Sequence, residues 1–229
     1  NKPQAEKDPE VAIASAIGRV EAFIMRNSRS LLTALGVVII VVGGFFGYKY
    51  LVAVPRMEKA SAMMFAAEQQ FAQDSFKLAL NGDGNFAGFL QVIEKYGSTG
   101  TGNVARHYAG ICYLRLGQYQ EALDYLTQYK GSTDDVPSAL LAAQNYGLRG
   151  DVYVQMGDYA EAAKSYEKAV ATSSDPLTAP YYLKKAGEVY EKLGDNAKAL
   201  AAYEAVEVDY PTSMEARDIQ KYIGRIQQQ

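Results

Sequence analysis

The sequence predicts an all-α protein: a single N-terminal transmembrane helix followed by an α-solenoid of two-helix repeats. Three observations carry this. Ser30–Tyr48 (SLLTALGVVIIVVGGFFGY) is a 19-residue stretch without a charge. As a helix it is about 30 Å long, the thickness of a bilayer's hydrocarbon core. The chain after it repeats one pattern of glycine, tyrosine and alanine three times. Finally, the chain has one cysteine and one histidine. That excludes an intramolecular disulfide framework and disfavours Cys- or His-based metal sites and a His-based catalytic triad.

Residues 1–10 are polar, carry two prolines and are expected to be a disordered arm. Asn1 in place of an initiator Met is expected to mark a trimmed or incomplete start. Residues 11–29 are expected to form a short amphipathic helix. Ile13, Ile17, Val20 and Ile24 recur at helical spacing, with Arg19 and Arg26 elsewhere on the wheel. Its apolar face suits a membrane surface or, alternatively, a partner's loop.

Residues 30–54 are assigned to the transmembrane helix. A cleaved signal would have a shorter apolar run and a shorter leader. A buried core helix would need a polar face, and Ile39–Val42 leave none. Tyr48, Lys49 and Tyr50 form an interfacial end. Orientation is weakly encoded: Arg19, Arg26 and Arg29 precede the span, and Lys49, Arg56 and Lys59 follow it. Gly36, Gly43 and Gly47 share a helix face, and the last two form a small-xxx-small pair that lets another helix approach.

Residues 55–102 are expected to hold a long helix plus a degenerate capping repeat. Arg56–Leu80 reads as one helix with Met57, Met64, Phe71 and Leu78 along one side and Pro55 in its first turn. Residues 81–84 (NGDG) read as a turn. Asn85–Tyr96 reads as a second helix, with Phe89 where a repeat would have alanine.

Residues 103–213 hold the repeats. Gly110, Gly150 and Gly187 are each followed after three residues by a tyrosine, after seven by glycine and after twelve by alanine. The first glycine suits contact between paired helices and the second suits a helix-ending turn. Asp158 and Asp195 suit the cap of the next helix. Tyr166 and Tyr203 lie four residues beyond the alanine, on its face; Leu126 stands there in the first repeat. Residues 131–138 and 172–179 read as linkers. Residues 214–229 are expected to be a capping helix, with Ile219, Tyr222, Ile223 and Ile226 covering the stack.

These positions resemble the tetratricopeptide repeat, with departures. Tyr146 and Leu183 stand where Trp is usual, and Asn196 replaces an aromatic. In that family the concave face comes mainly from first helices. Carried over, this suggests a protein-binding groove of Val104, His107, Ile111, Leu114 and Arg115 in the first repeat. It suggests Gln144, Asp151, Val154 and Gln155 in the second, and Tyr181, Lys184, Glu188, Glu191 and Lys192 in the third. Tyr108, Tyr125, Tyr129 and Tyr182 are further aromatic candidates. The mixed polarity suits an extended or unfolded polypeptide. No phosphate loop, nucleophile elbow or metal-spaced cluster is present in the sequence, so the chain reads as a non-enzyme without a cofactor or metal. His107 reads as a surface or groove residue and Cys112 as a packed apolar one. A net charge of −3 gives no case for nucleic acid.

The order of arm, span, long helix, degenerate repeat and repeats resembles the YfgM-like family of bacterial inner-membrane proteins. Residues 71–76 (FAQDSF), 79–84 (ALNGDG) and 215–219 (EARDI) look like its Bacteroidota branch. The resemblance implies a cytoplasmic N-terminus and a periplasmic repeat domain in contact with the SecYEG translocon. It also implies a PpiD-like membrane-anchored prolyl-isomerase chaperone and newly translocated secretory polypeptides as partners, with membrane lipid around the anchor. Competing expectations are a structural adaptor in a cell-envelope assembly and a regulatory or cell-division adaptor.

Overall fold

The structure is a computed structural model that describes residues 9–228. Residues 1–8 of the expected arm lie outside the described residues. The chain divides into two compact units, residues 1–55 and residues 56–229.

The first unit is dominated by α1 (Pro9–Tyr48). This helix consists of two helical stretches that meet at a kink at Asn27, beside the boundary expected near residue 29 between the amphipathic helix and the span. The only departure inside it is Asn27, at φ −112° and ψ 15°, whose Nδ2 donates to the Phe23 carbonyl at 2.9 Å. That side chain satisfies the carbonyl released by the kink. The apolar stretch has the length and composition of a membrane-spanning helix, and none of it is buried within the protein. Ile40, 74% exposed, typifies it. So long an unburied apolar surface is consistent with a helix that crosses a membrane. Lys49–Ala53 is a π-helical turn, and α2 (Val54–Ala72) follows. Pro55 has no N–H to offer the preceding turn, where the backbone widens.

The second unit begins within α2. The long helix expected over residues 56–80 is broken. α2 ends at Ala72, Asp74 takes the left-handed conformation (φ 57°), and α3 (Phe76–Asn81) starts afresh. The reversal brings Phe71 edge-on to Phe76 (5.6 Å), Phe89 (6.2 Å) and Tyr108 (5.0 Å). Met64 is buried, but Met57 and Leu78 are exposed, so the expected single face does not exist. The turn at 81–84 has Asp83 Oδ1 accepting from the Asn85 and Phe86 amides. These bonds hold 85–86 out of the helix, and α4 runs Phe89–Tyr96 instead of from Asn85. Phe89 is fully buried, stacked on Tyr108 at 5.2 Å.

Three helix pairs follow: α5 (Gly100–Arg115) with α6 (Tyr119–Gln128), α7 (Val136–Met156) with α8 (Tyr159–Thr172), and α9 (Ala179–Leu193) with α10 (Asn196–Asp209). Gly157 and Gly194 end α7 and α9 in the left-handed conformation (φ 79° and 75°). Asp158 and Asp195 then cap α8 and α10 through bonds to Glu161 N and Lys198 N, each 3.1 Å. Ala122, Ala162 and Ala199 are fully buried, as are Leu126 and Tyr203, with Tyr166 nearly so. The C-terminal segment is a 3₁₀ turn (Glu215–Arg217) and α11 (Ile219–Gln227), not one helix from Met214. Ile219, Ile223 and Ile226 pack onto the core of the third pair, and the Tyr222 ring tilts onto Tyr203 at 5.2 Å.

Candidate protein-binding groove

The first helices α5, α7 and α9 carry the expected groove residues. In α5, Val104, Ile111 and Leu114 are half-buried. Val104 packs against the N-terminal core and Leu114 against Ala122, Leu126 and Val152. Arg115 is exposed in the last turn. Gln144 and Gln155 are exposed on α7, and Tyr119 Oη donates to Gln155 Oε1 at 3.4 Å. Val154 is half-buried against the C-terminal core.

His107 is a correction. It is 1% exposed, so it is not a groove-surface residue. Its Nδ1 accepts from Asn145 Nδ2 at 3.2 Å, and its ring lies 5.5 Å from Tyr129 and 5.9 Å from Tyr108. Burial pushes its pKa down to about 4, against a smaller upward pull from Gln144. Of the further tyrosines, Tyr182 is buried, its ring 2.1 Å from where a Gly147 Cβ would stand. Tyr125 stacks on Tyr113 at 5.2 Å. Cys112 is fully buried, and burial pushes its thiol up to about 12.

Ion pairs link the polar candidate residues of α7 and α9 with each other and with the C-terminal segment. Lys185 Nζ on α9 reaches Asp151 Oδ1 on α7 at 2.6 Å, and the Tyr166 hydroxyl donates to the same oxygen at 2.7 Å. Arg225 on α11 pairs with Glu191 on α9, which also accepts from the Tyr203 hydroxyl at 2.5 Å. Lys184 Nζ reaches both Asp218 oxygens at 2.9 and 3.1 Å. Each of these pairs spans 34 residues, less than the 40 and 37 that separate Gly110, Gly150 and Gly187. Burial works against the charged forms of Lys185 and Glu191. Their partners prevail: the lysine is held above its ordinary pKa and the glutamate below it. Tyr166 and Tyr203 are pushed up, by burial first and then by their carboxylates.

Two hollows flank Glu188. One, of about 370 Å³, is lined by Tyr181, Lys184, Lys185, Met214, Glu215 and Asp218 as well as Glu188. The other, of about 430 Å³, lies between Glu188, Glu191, Lys192, Tyr222 and Arg225. Sequence reasoning placed Tyr181, Lys184, Glu188, Glu191 and Lys192 here but missed Lys185, Met214, Glu215, Asp218 and Arg225. No signal in the sequence singled these out, since the 34-residue spacing of the opposite charges matches neither repeat step. Among the described residues no group of three or more His, Cys, Asp or Glu is placed to hold a metal. Gly36, Gly43 and Gly47 face open space: beyond the helix's own backbone, no described residue stands within 4 Å of where their Cβ would lie.

Comparison with known proteins agrees with this geometry. Two tetratricopeptide-repeat family models match residues 103–175 and 148–216. The fold is therefore a tetratricopeptide-type α-solenoid, an architecture of non-catalytic scaffolds that bind other proteins. Among solved structures, one of MamA protein matches with a TM-score of 0.57 at 17% identity, covering 75% of this chain and 82% of that one. A second MamA structure gives 0.52 at 16%, covering 71% and 92%. A Podosopora anserina putative kinesin light chain with nearly identical TPR-like repeats gives 0.57 at 16%, covering 74% and 86%. At these identities the likeness concerns the fold alone. No curated protein matches.

Proposed function

We propose that this chain is a membrane-anchored, non-enzymatic scaffold on the periplasmic side of a bacterial inner membrane, ancillary to the SecYEG translocon. Its repeat domain binds a PpiD-like membrane-anchored chaperone and newly translocated polypeptides. The observation that carries the reading is the pairing, in one chain, of an unburied apolar helix with repeat helices that expose Gln144, Tyr181 and Glu188. The helix retains the groove at a membrane, and the mixed polarity of the groove suits extended chains of varied sequence better than one charged tail. The partners and the compartment rest on the family resemblance. Gly36, Gly43 and Gly47 are assigned to contact with a partner's membrane helix.

Photoreactive residues at Gln144 and Tyr181, which are exposed, provide the test. Crosslinks to SecY, to a membrane-anchored prolyl isomerase and to nascent secretory chains are expected. Crosslinks to a single folded partner unconnected with export would reject the reading. If a chain lacking residues 1–50 co-purified undiminished with the translocon, docking through the span would be wrong.

A further inference from the structure

We infer that the hollow between α9 and the 3₁₀ turn receives a cationic side chain of an extended polypeptide. The inference rests on the groove being a polypeptide-binding surface and names the chemistry it selects. The two lysines at the hollow are already engaged. Lys185 is held by Asp151 at 2.6 Å, with its ammonium 5.0 Å from the Tyr181 ring centre. Lys184 is held by Asp218 and lies 4.5 Å from the Tyr222 ring centre.

Glu188 and Glu215 face the same hollow, and neither forms an ion pair among the described residues. Internal pairing thus leaves two negative charges unanswered. Met214, 75% exposed, and Tyr181, 42% exposed, add apolar surface beside them. A lysine or arginine fits this combination: its stem lies along Met214 and Tyr181 while its head reaches the carboxylates. An acidic side chain would have to dislodge Asp151 or Asp218 from a lysine it already holds. Charge complementarity therefore selects a basic occupant.

The test uses the full chain in lipid nanodiscs and fluorescence anisotropy with two labelled, unstructured peptides. The peptides are identical except that one central arginine is replaced by glutamine. The arginine peptide is expected to bind about fivefold more tightly, the scale of a partly exposed ion pair. In the double variant E188Q/E215Q the preference should vanish, with binding of the glutamine peptide unchanged. Neither carboxylate forms an ion pair among the described residues, so the fold is expected to be retained, and circular dichroism checks this. The variant E204Q, on the exposed side of α10, should keep the preference. Equal binding of the two peptides, a preference surviving in E188Q/E215Q, or tighter binding of a peptide with glutamate at that position would each overturn this inference alone. Failure of every peptide to bind would overturn the polypeptide-binding reading and this inference with it.

Discussion

Adding one methyl group at Gly187 would place a Cβ 2.4 Å from the Tyr203 ring, and at Gly150 2.5 Å from Tyr166. Neither ring can retreat, since each is buried and each hydroxyl is tied to a carboxylate. Gly187→Ala is therefore expected to destabilise the repeat domain by about 1–3 kcal/mol. Gly224→Ala, in α11 with nothing within 4 Å, should stabilise it by up to about 1 kcal/mol. Chemical denaturation of both variants reads the contrast, and similar midpoints would contradict the packing described. These glycines were legible in the sequence because the constraint is local and repeats three times. His107 was not, because its burial depends on Asn145, 38 residues away and on another first helix. Its folded pKa of about 4 lies below the ordinary 6.5, so between those values the unfolded chain binds a proton the folded one refuses. The associated stability is complete above pH 6.5 and is lost as pH falls towards 4, at about 1.4 kcal/mol per pH unit. His107→Gln should flatten the decline in stability across that window; an unchanged slope would mean that the imidazole takes up a proton in place.

At the scale of elements, helix identity was legible and helix ends were not. Asp158 and Asp195 announced the starts of α8 and α10 because glycine and a capping carboxylate stand together there. The break between α2 and α3 has neither glycine nor proline, and its residues keep a helical apolar spacing. What wins there is tertiary: the reversal gathers Phe71, Phe76, Phe89 and Tyr108 into one aromatic cluster. Asp74 accepts the left-handed conformation at a cost that glycine would not incur and a β-branched residue would increase. Asp74→Gly should raise stability by about 0.5 kcal/mol, and Asp74→Val should lower it by about 1 kcal/mol or more. If valine were harmless, the helix would run through residue 74 as its spacing suggests. Within α1 the division was legible: the kink at Asn27 falls beside the start of the uncharged run at Ser30.

For the whole molecule, two spacings connect the sequence with the structure. Glycine, tyrosine and alanine recur at steps of 40 and 37 residues, while Asp151–Lys185, Lys184–Asp218 and Glu191–Arg225 pair across 34. The repeat positions that build the core were readable. The charges that pair across neighbouring repeats were not, because one chain's pattern does not distinguish a paired charge from a solvated one. Orientation is the property that the flanking charges leave least determined, and the chain carries its own means of deciding it. Cys112 is fully buried and its thiol is pushed up to about 12, so it contributes little thiolate near neutral pH. A cysteine introduced at Thr133, exposed in the linker before α7, or at Glu21, exposed on α1, is then the reactive one. With the outer membrane permeabilised and the inner membrane intact, a membrane-impermeant maleimide should label Thr133→Cys at once. It should label Glu21→Cys only after the inner membrane is opened. That outcome places the solenoid outside the cytoplasm, where an export accessory must work. The reverse pattern would place the groove in the cytoplasm and remove translocated polypeptides from its possible occupants, while leaving the anchor and the solenoid as they are.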